Sequence, residues 1–250
     1  MKRPSLSDRF ARIGFVPACF LRCARVLLTA FLGLFFLAGQ GFCAEKPAAQ
    51  PKTPEAKIQL FNTVEFKRPL SSLPAWVRLL ERNGQHSIFV EGKAFTKSAG
   101  WNSFKEGAKG KTGLDLLRYV HTFWNKFPYR EDMLNWGVED YWAIPDEFLK
   151  KSGDCEDYAI IKYFSLRQLG IPADKMRIVV LRDTVRNLAH AVLVVYMDND
   201  AYVLDNLSSA VLSHTRFKHY LPQYSVNELG RWAHLKGRPV QPTAAAKAQR

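Results

Sequence analysis

GDCEDYAIIKYFSLRQLGIP, residues 153–172, is the stretch around which the rest of the chain is organised. Acids stand at its start (Asp154, Glu156, Asp157), apolar residues occupy most of the helical circumference from Tyr158 to Leu169, and Gly170 and Pro172 close it. Acids in a first turn and a glycine just past the last are ordinary helix boundaries, because they complement the helix dipole and supply the left-handed closing residue. The spacing predicts a helix over Asp154–Leu169. A helix this apolar on all sides belongs in the middle of a fold.

Downstream the period changes. Met176–Leu181 (MRIVVL), Ala191–Met197 (AVLVVYM) and Ala201–Leu207 (AYVLDNL) are β-branched or apolar runs, and Asp198-Asn199-Asp200 between the last two is a turn signal, so they read as strands with a hairpin. Upstream, Ser72–Arg82 (SLPAWVRLLER) has Ser72 in the N-cap place, Trp76, Leu79 and Leu80 at helical spacing, and Gly84 just beyond its end. Leu114–Lys126 (LDLLRYVHTFWNK) carries a stripe of Leu117, Val120, Phe123 and Trp124 and stops at Pro128. Helices first and an antiparallel sheet after them make the expected class α+β. Residues 45–57 (EKPAAQPKTPEAK) read as a flexible linker and 236–250 as a disordered tail, which leaves one domain over 58–235.

The N-terminal 44 residues have a different character. Basic residues up to Arg25 precede Val26–Ala38 (VLLTAFLGLFFLA), the pattern of a signal peptide. The run is short for a membrane span, which needs about 20 residues, although continuation through Phe42 would make an uncleaved anchor. Cys19, Cys23 and Cys43 lie in or beside this segment, so the exported domain retains Cys155 alone and no internal disulfide can form. A lone thiol in an oxidising compartment is a candidate nucleophile; the alternative is a buried core cysteine.

Cys155 stands at the start of the central helix, where unpaired N–H groups and the positive dipole end stabilise a thiolate. A nucleophilic thiol needs a base, and His190 opens the strand AHAVLVVYM. If Val192 or Val194 lies opposite Asp205 across the hairpin, His190 and Asp205 share a sheet face, since side chains alternate along a strand. A carboxylate beside the ring would fix its tautomer, giving a Cys155, His190, Asp205 set. His86, His121, His214, His219 and His234 read as structural.

Other chemistries lack their residues. The exported chain has no CxxC pair and no HExxH, so a zinc site is not expected, and GxGxxG and GxxxxGK[ST] are absent. Six bases against one acid in residues 1–44 carry +5 of the formal charge of +13, and the rest of the basic residues are scattered among acids, so no nucleic-acid partner is expected.

With these residues in place, Gly153–Pro172, Asn187–Tyr196 (NLAHAVLVVY), Leu204–Leu207 (LDNL), Asn135–Phe148 (NWGVEDYWAIPDEF) and Pro222–Trp232 (PQYSVNELGRW) resemble the bacterial transglutaminase-like cysteine proteinases, the LapG-type periplasmic adhesin proteases. The resemblance runs from Leu114 to Trp232 and implies a papain/transglutaminase-like fold with Cys155 as nucleophile, His190 as general base and Asp205 as orienting carboxylate. It bears on the acids beside Cys155, which from the residues alone either cap the helix or hold a hard cation. The resemblance implies calcium bound by Asp154 and Glu156, with Asp140 a weaker candidate. It further implies a periplasmic location, a large surface adhesin as substrate, cut in its N-terminal region so that the biofilm disperses, and an inhibitory partner in the periplasmic domain of an inner-membrane cyclic-di-GMP receptor. Trp142 or Asn135 are candidate oxyanion donors, and Trp142 or Trp136 candidate regulator contacts. A transglutaminase-type acyl transferase and a non-catalytic adaptor on the same fold are the rival readings.

Overall fold

The computed structural model describes residues 58–236. The expected signal segment, the linker and the tail beyond Lys236 lie outside the described residues. In chain order the elements are β1 (Thr63–Arg68), α1 (Pro74–Gln85), α2 (Trp101–Ala108), α3 (Gly113–Trp124), α4 (Asp132–Trp136), α5 (Pro145–Lys151), α6 (Cys155–Gln168), β2 (Met176–Asp183), β3 (Leu188–Met197), β4 (Asp200–Leu204), β5 (Leu212–Ser213), β6 (Tyr220–Asn227) and β7 (Gly230–Lys236). The strands form one sheet in the order β1-β7-β6-β2-β3-β4-β5, with antiparallel neighbours throughout. The architecture is α+β, as expected.

The central helix is α6. It packs on β2 and β3 on one side and on α3 and α5 on the other, and every residue from Glu156 to Leu166 is buried. Trp76, Phe104, Trp124, Phe148 and Ile160 close over one face of the sheet, against Ile178, Leu193 and Val226. Edge and tilted ring pairs link this layer, Phe104–Phe123 at 4.7 Å and Trp124–Phe127 at 5.2 Å. The opposite sheet face is also covered: Leu60, Phe61 and Phe217 pack on Val179, Val192, Val194 and Val203. Covering on both faces explains why β2 and β3 are near-continuous apolar runs and not alternating ones. Fully burying each such aliphatic or aromatic side chain stabilises the fold by about 1.5–3 kcal/mol relative to exposure.

The structure corrects the sequence reading at several points. The chain does not run helices first, because β1 precedes α1 and pairs along its whole length with β7, the last strand. Ser72 is not an N-cap; it sits in a 3-10 turn, Leu70–Ser72, with its hydroxyl on the Pro69 carbonyl. The helix begins two residues later at Pro74, whose fixed φ and missing N–H suit a first helical position, and runs through Gly84 to Gln85. The hairpin turn is Asp198-Asn199 alone, both at left-handed φ of 52° and 59°, as a two-residue turn of that hand requires, while Asp200 pairs with Met197 in the ladder. β4 stops at Leu204, three residues short of the expected Leu207, because Asp205 turns back to accept the Leu207 N–H.

Candidate active site

Cys155 is the first residue of α6, half-buried, with Asp154 at the N-cap in extended conformation. Its position presents the thiol to the unpaired N–H groups of the first turn. The Ala191 N–H, one residue along β3 from His190, also lies close enough to favour the thiolate. Opposing these, burial, and then the charges of Glu156 and Asp154, push the thiol well above its ordinary range, and the thiol donates to Glu156 Oε2 at 3.1 Å.

The β3–β4 register pairs Leu193 with Leu204 and Val194 with Val203, so the next residue, Asp205, falls opposite Val192. That is the alternation that places His190 and Asp205 on one face. The two meet: His190 Nε2 is 2.9 Å from Asp205 Oδ1, and both side chains are buried. Asp205 also accepts from the Tyr220 hydroxyl at 2.5 Å and from the Leu207 N–H at 2.9 Å. Burial alone would raise this carboxyl, but His190, Tyr220 and Leu207 together hold it below the usual carboxylate range. With Nε2 committed to Asp205, Nδ1 is the ring nitrogen left for a thiol. His190 is the third residue of β3, not its first; β2 pairs with it through Leu181, while β4 has already ended, which leaves that side of the strand without a ladder partner.

Beside the thiol lies an acidic cluster. Ligand oxygens of Asp132, Asp154 and Asp157 lie within 4.8 Å of one another, as do those of Asp132, Asp140 and Glu156, and Asp154, Cys155 and Glu156 form a third such group. Asp154, Glu156 and Asp140 were the expected ligands; Asp132 and Asp157 were not. The assembly is local in origin. A parallel bridge between Tyr129 and Gly153, with the Arg130 N–H on the Gly153 carbonyl at 2.9 Å, lays the 128–132 segment along the entry to α6. The loop after α4 is then fastened by the acids themselves, Asp132 Oδ2 accepting the Tyr141 N–H at 2.5 Å and Asp157 Oδ1 the Ala143 N–H at 2.7 Å.

These acids are therefore more than helix caps. Asp154 makes no side-chain cap, and one oxygen each of Asp132, Asp154 and Asp157 is buried without a hydrogen-bond partner. Burial, with mutual repulsion, pushes Asp132 up to about 6 and Glu156 to about 10, and raises Asp154 and Asp157 as well. Unpartnered buried oxygens of Asp132, Asp154 and Asp157, with the carboxylates of Glu156 and Asp140 beside them, form an all-oxygen donor set that suits a hard divalent cation. Gly153 is required here, since a Cβ on it would lie 2.6 Å from the Cβ of Asp157. A possible signal for Asp157 was its spacing three residues after Asp154; nothing local marks Asp132 or Tyr220.

The other expectations are placed as follows. The Asn135 amide donates to the Ser152 carbonyl at 3.3 Å and the Trp142 indole to Asp140 at 3.1 Å, so both candidate oxyanion donors are engaged within the chain. Trp136 and Trp142 are half-buried, Trp136 beneath Lys151 and against Tyr141, Trp142 against Trp76. His121, His214 and His234 are hydrogen-bonded in the fold, as expected of structural histidines.

A half-buried thiol at a helix N-terminus with the Ala191 N–H of β3 close by, and a buried imidazole–carboxylate pair on the same antiparallel sheet, fit an α+β fold of papain/transglutaminase-like architecture. The chain belongs to the family described as bacterial transglutaminase-like cysteine proteinase, whose profile matches residues 101–239. Among solved structures it is similar to Legionella pneumophila LapG, with 31% identity over 63% of this chain and 86% of that one at a TM-score of 0.50. The calcium-bound form of Legionella LapG matches at 30% identity, 69% and 95% coverage and a TM-score of 0.51, and its EGTA-treated form at 31%, 63%, 84% and 0.50. No curated protein sequence matches the chain. Among the described residues, no helix is long and apolar enough to cross a membrane.

Proposed function

We propose that the protein is a calcium-dependent periplasmic cysteine endopeptidase. Its substrate is the N-terminal region of a large surface adhesin, and it is held inactive by the periplasmic domain of an inner-membrane cyclic-di-GMP receptor. The observation that carries the catalytic part is the 2.9 Å His190–Asp205 pair next to a thiol at a helix N-terminus. The substrate and regulator are what the resemblance of residues 114–232 to the LapG-type adhesin proteases implies, and the signal-like N-terminal segment is the ground for the location.

In this reading the Cys155 thiolate attacks the carbonyl carbon of the scissile peptide, forming the S–C bond of a tetrahedral adduct whose oxyanion faces the Cys155 N–H. His190, protonated at Nδ1, gives that proton to the leaving amine nitrogen as the C–N bond breaks. The same nitrogen then takes a proton from water, which attacks the thioester and releases the acid and the thiol. Asp205 holds the ring through Nε2 and stabilises the imidazolium. Asp154, Glu156, Asp132, Asp157 and Asp140 would hold the calcium ion, in keeping with the calcium-bound LapG relative. When bound, the ion supplies positive charge beside the thiol, which offsets the carboxylates and favours the thiolate.

The test is cleavage of the N-terminal region of the host's largest repeat-rich surface adhesin by purified protein, with Cys155→Ala as control and calcium or EGTA added. Calcium-dependent cleavage by the wild type alone is expected. Amine incorporation without net cleavage would identify an acyl transferase, and unaltered biological activity in Cys155→Ala would identify an adaptor.

A further inference from the structure

The segment that follows Asp140 and leads into α5 is held from two sides. On the inner side the Tyr141 N–H donates to Asp132 and the Ala143 N–H to Asp157, so alternate peptide groups fasten two acids of the cluster. On the outer side the residues between them are taken up by one ion pair. Arg82, in the last turn of α1, donates through Nη1 to the Tyr141 hydroxyl at 2.9 Å, and through Nη2 to the Trp142 carbonyl at 3.0 Å and to Glu147 Oε2 at 2.8 Å. Glu147, in the first turn of α5, accepts from the Tyr141 hydroxyl at 2.9 Å and from the Ile144 N–H at 2.9 Å. The Tyr141 ring lies 4.4 Å from Trp136 of α4 and 5.1 Å from the Arg82 guanidinium.

A planar guanidinium is the side chain that can serve a phenol, a carbonyl and a carboxylate at once. The pair reaches the cluster through residues 141–144. Without an ion the charged acids repel one another, and the N–H that each accepts helps to keep Asp132 and Asp157 in place. Those donors are only as fixed as the loop that carries them. With its outer side released, ordering the loop becomes part of binding the ion, and the affinity falls accordingly.

We propose that Arg82 and Glu147 are positioning residues for the calcium site: from α1 and α5 they hold the 141–144 loop from outside, and so keep Asp132 and Asp157 in the arrangement that takes the ion. The inference rests on the calcium reading of the acidic cluster.

The experiment measures the affinity of the metal-free full chain for calcium alone, by calorimetry at about pH 7. Arg82→Met and Glu147→Leu are each expected to weaken binding by about 10–100-fold, the usual effect of removing a group that orients metal ligands. Because both act through one loop, the double variant is expected to lose about as much as the weaker-binding single variant; losses that multiply would make the two residues independent and overturn the proposal. Lys93→Met is the control. Lys93 pairs at 2.9 Å with Asp146, the neighbour of Glu147, and is 36% exposed against 35% for Arg82, yet neither Lys93 nor Asp146 has a side-chain bond to the 141–144 loop. It is expected to bind calcium as the wild type does. Equal weakening in Lys93→Met would assign the effect to α5 as a whole and overturn the proposal, as would wild-type affinity in folded Arg82→Met. Should Arg82→Met fail to fold, Tyr141→Phe decides: it removes only the hydroxyl shared by Arg82 and Glu147, and is expected to weaken binding about tenfold, with wild-type affinity overturning the proposal. A wild type that takes up no calcium would refute the calcium reading itself, and is distinct from the failure of the clamp, in which wild type and variants bind alike.

Discussion

Calcium added to the metal-free protein at about pH 7 is expected to displace at least about one proton per ion. The number follows from the acidic cluster. Glu156, pushed to about 10 by burial and by Asp154, is ionised in roughly one molecule in a thousand at neutral pH. Burial raises Asp157 and Asp154 as well. Asp132, at about 6, is already about nine-tenths ionised and adds only about a tenth of a proton. An ion bound by these carboxylates needs them charged, so the Glu156 proton leaves, and the affinity should tighten by about tenfold or more for each unit of pH near neutrality. Calorimetric titration in buffers of different ionisation enthalpy measures the proton number directly, since the observed heat varies with buffer in proportion to it. Glu156→Gln should remove one proton from the count. A heat that does not vary with buffer would refute the reasoning, because the buried oxygens without partners would then not be the ligands.

Three further outcomes are expected. The raised carboxyls bind more protons in the folded than in the unfolded chain, from their ordinary range near 4 up to about 6 for Asp132 and about 10 for Glu156, so the metal-free fold should lose stability as pH rises through that window. Thermal melts in chelator should therefore give a higher Tm at pH 5 than at pH 8, with calcium reversing the order. Asp205→Asn should keep the Tyr220 and His190 geometry yet lower Cys155-dependent turnover by about 100-fold or more, as an amide cannot support an imidazolium; near-wild-type turnover would remove Asp205 from the set. Gly153→Ala should displace Asp157 and weaken calcium binding at least tenfold, measured by the same calorimetry, because the new Cβ meets that side chain and not a yielding surface group.

What could be foreseen from the chain, and what could not, divides along the range of the forces involved. The helix at 155–168, its place at the centre, and the existence of strands β2, β3 and β4 follow from apolar periodicity and end signals, which act over a few residues. The alternation of side chains along β3 and β4 made a single parity condition decide whether His190 and Asp205 could meet, and the register satisfies it. The edge strands were less legible. β1, TVEFKR, alternates weakly because its outer face is solvated, and it is a strand only through its partner β7, more than 160 residues away.

The site shows the same division. Cys155, Asp154 and Glu156 are adjacent in sequence, so their grouping is a property of the helix start and could be read without a fold. Asp132 enters the cluster because the Tyr129–Gly153 bridge lays its segment beside α6, and Tyr220 reaches Asp205 from β6. Sequence alone determined which groups can carry thiol chemistry and where the helix that presents them begins, because caps and periodicity are local. Only the tertiary structure decided which carboxylates converge and which charges lie buried together, because pairing across the sheet and burial in a low-dielectric interior depend on contacts between residues far apart in the chain.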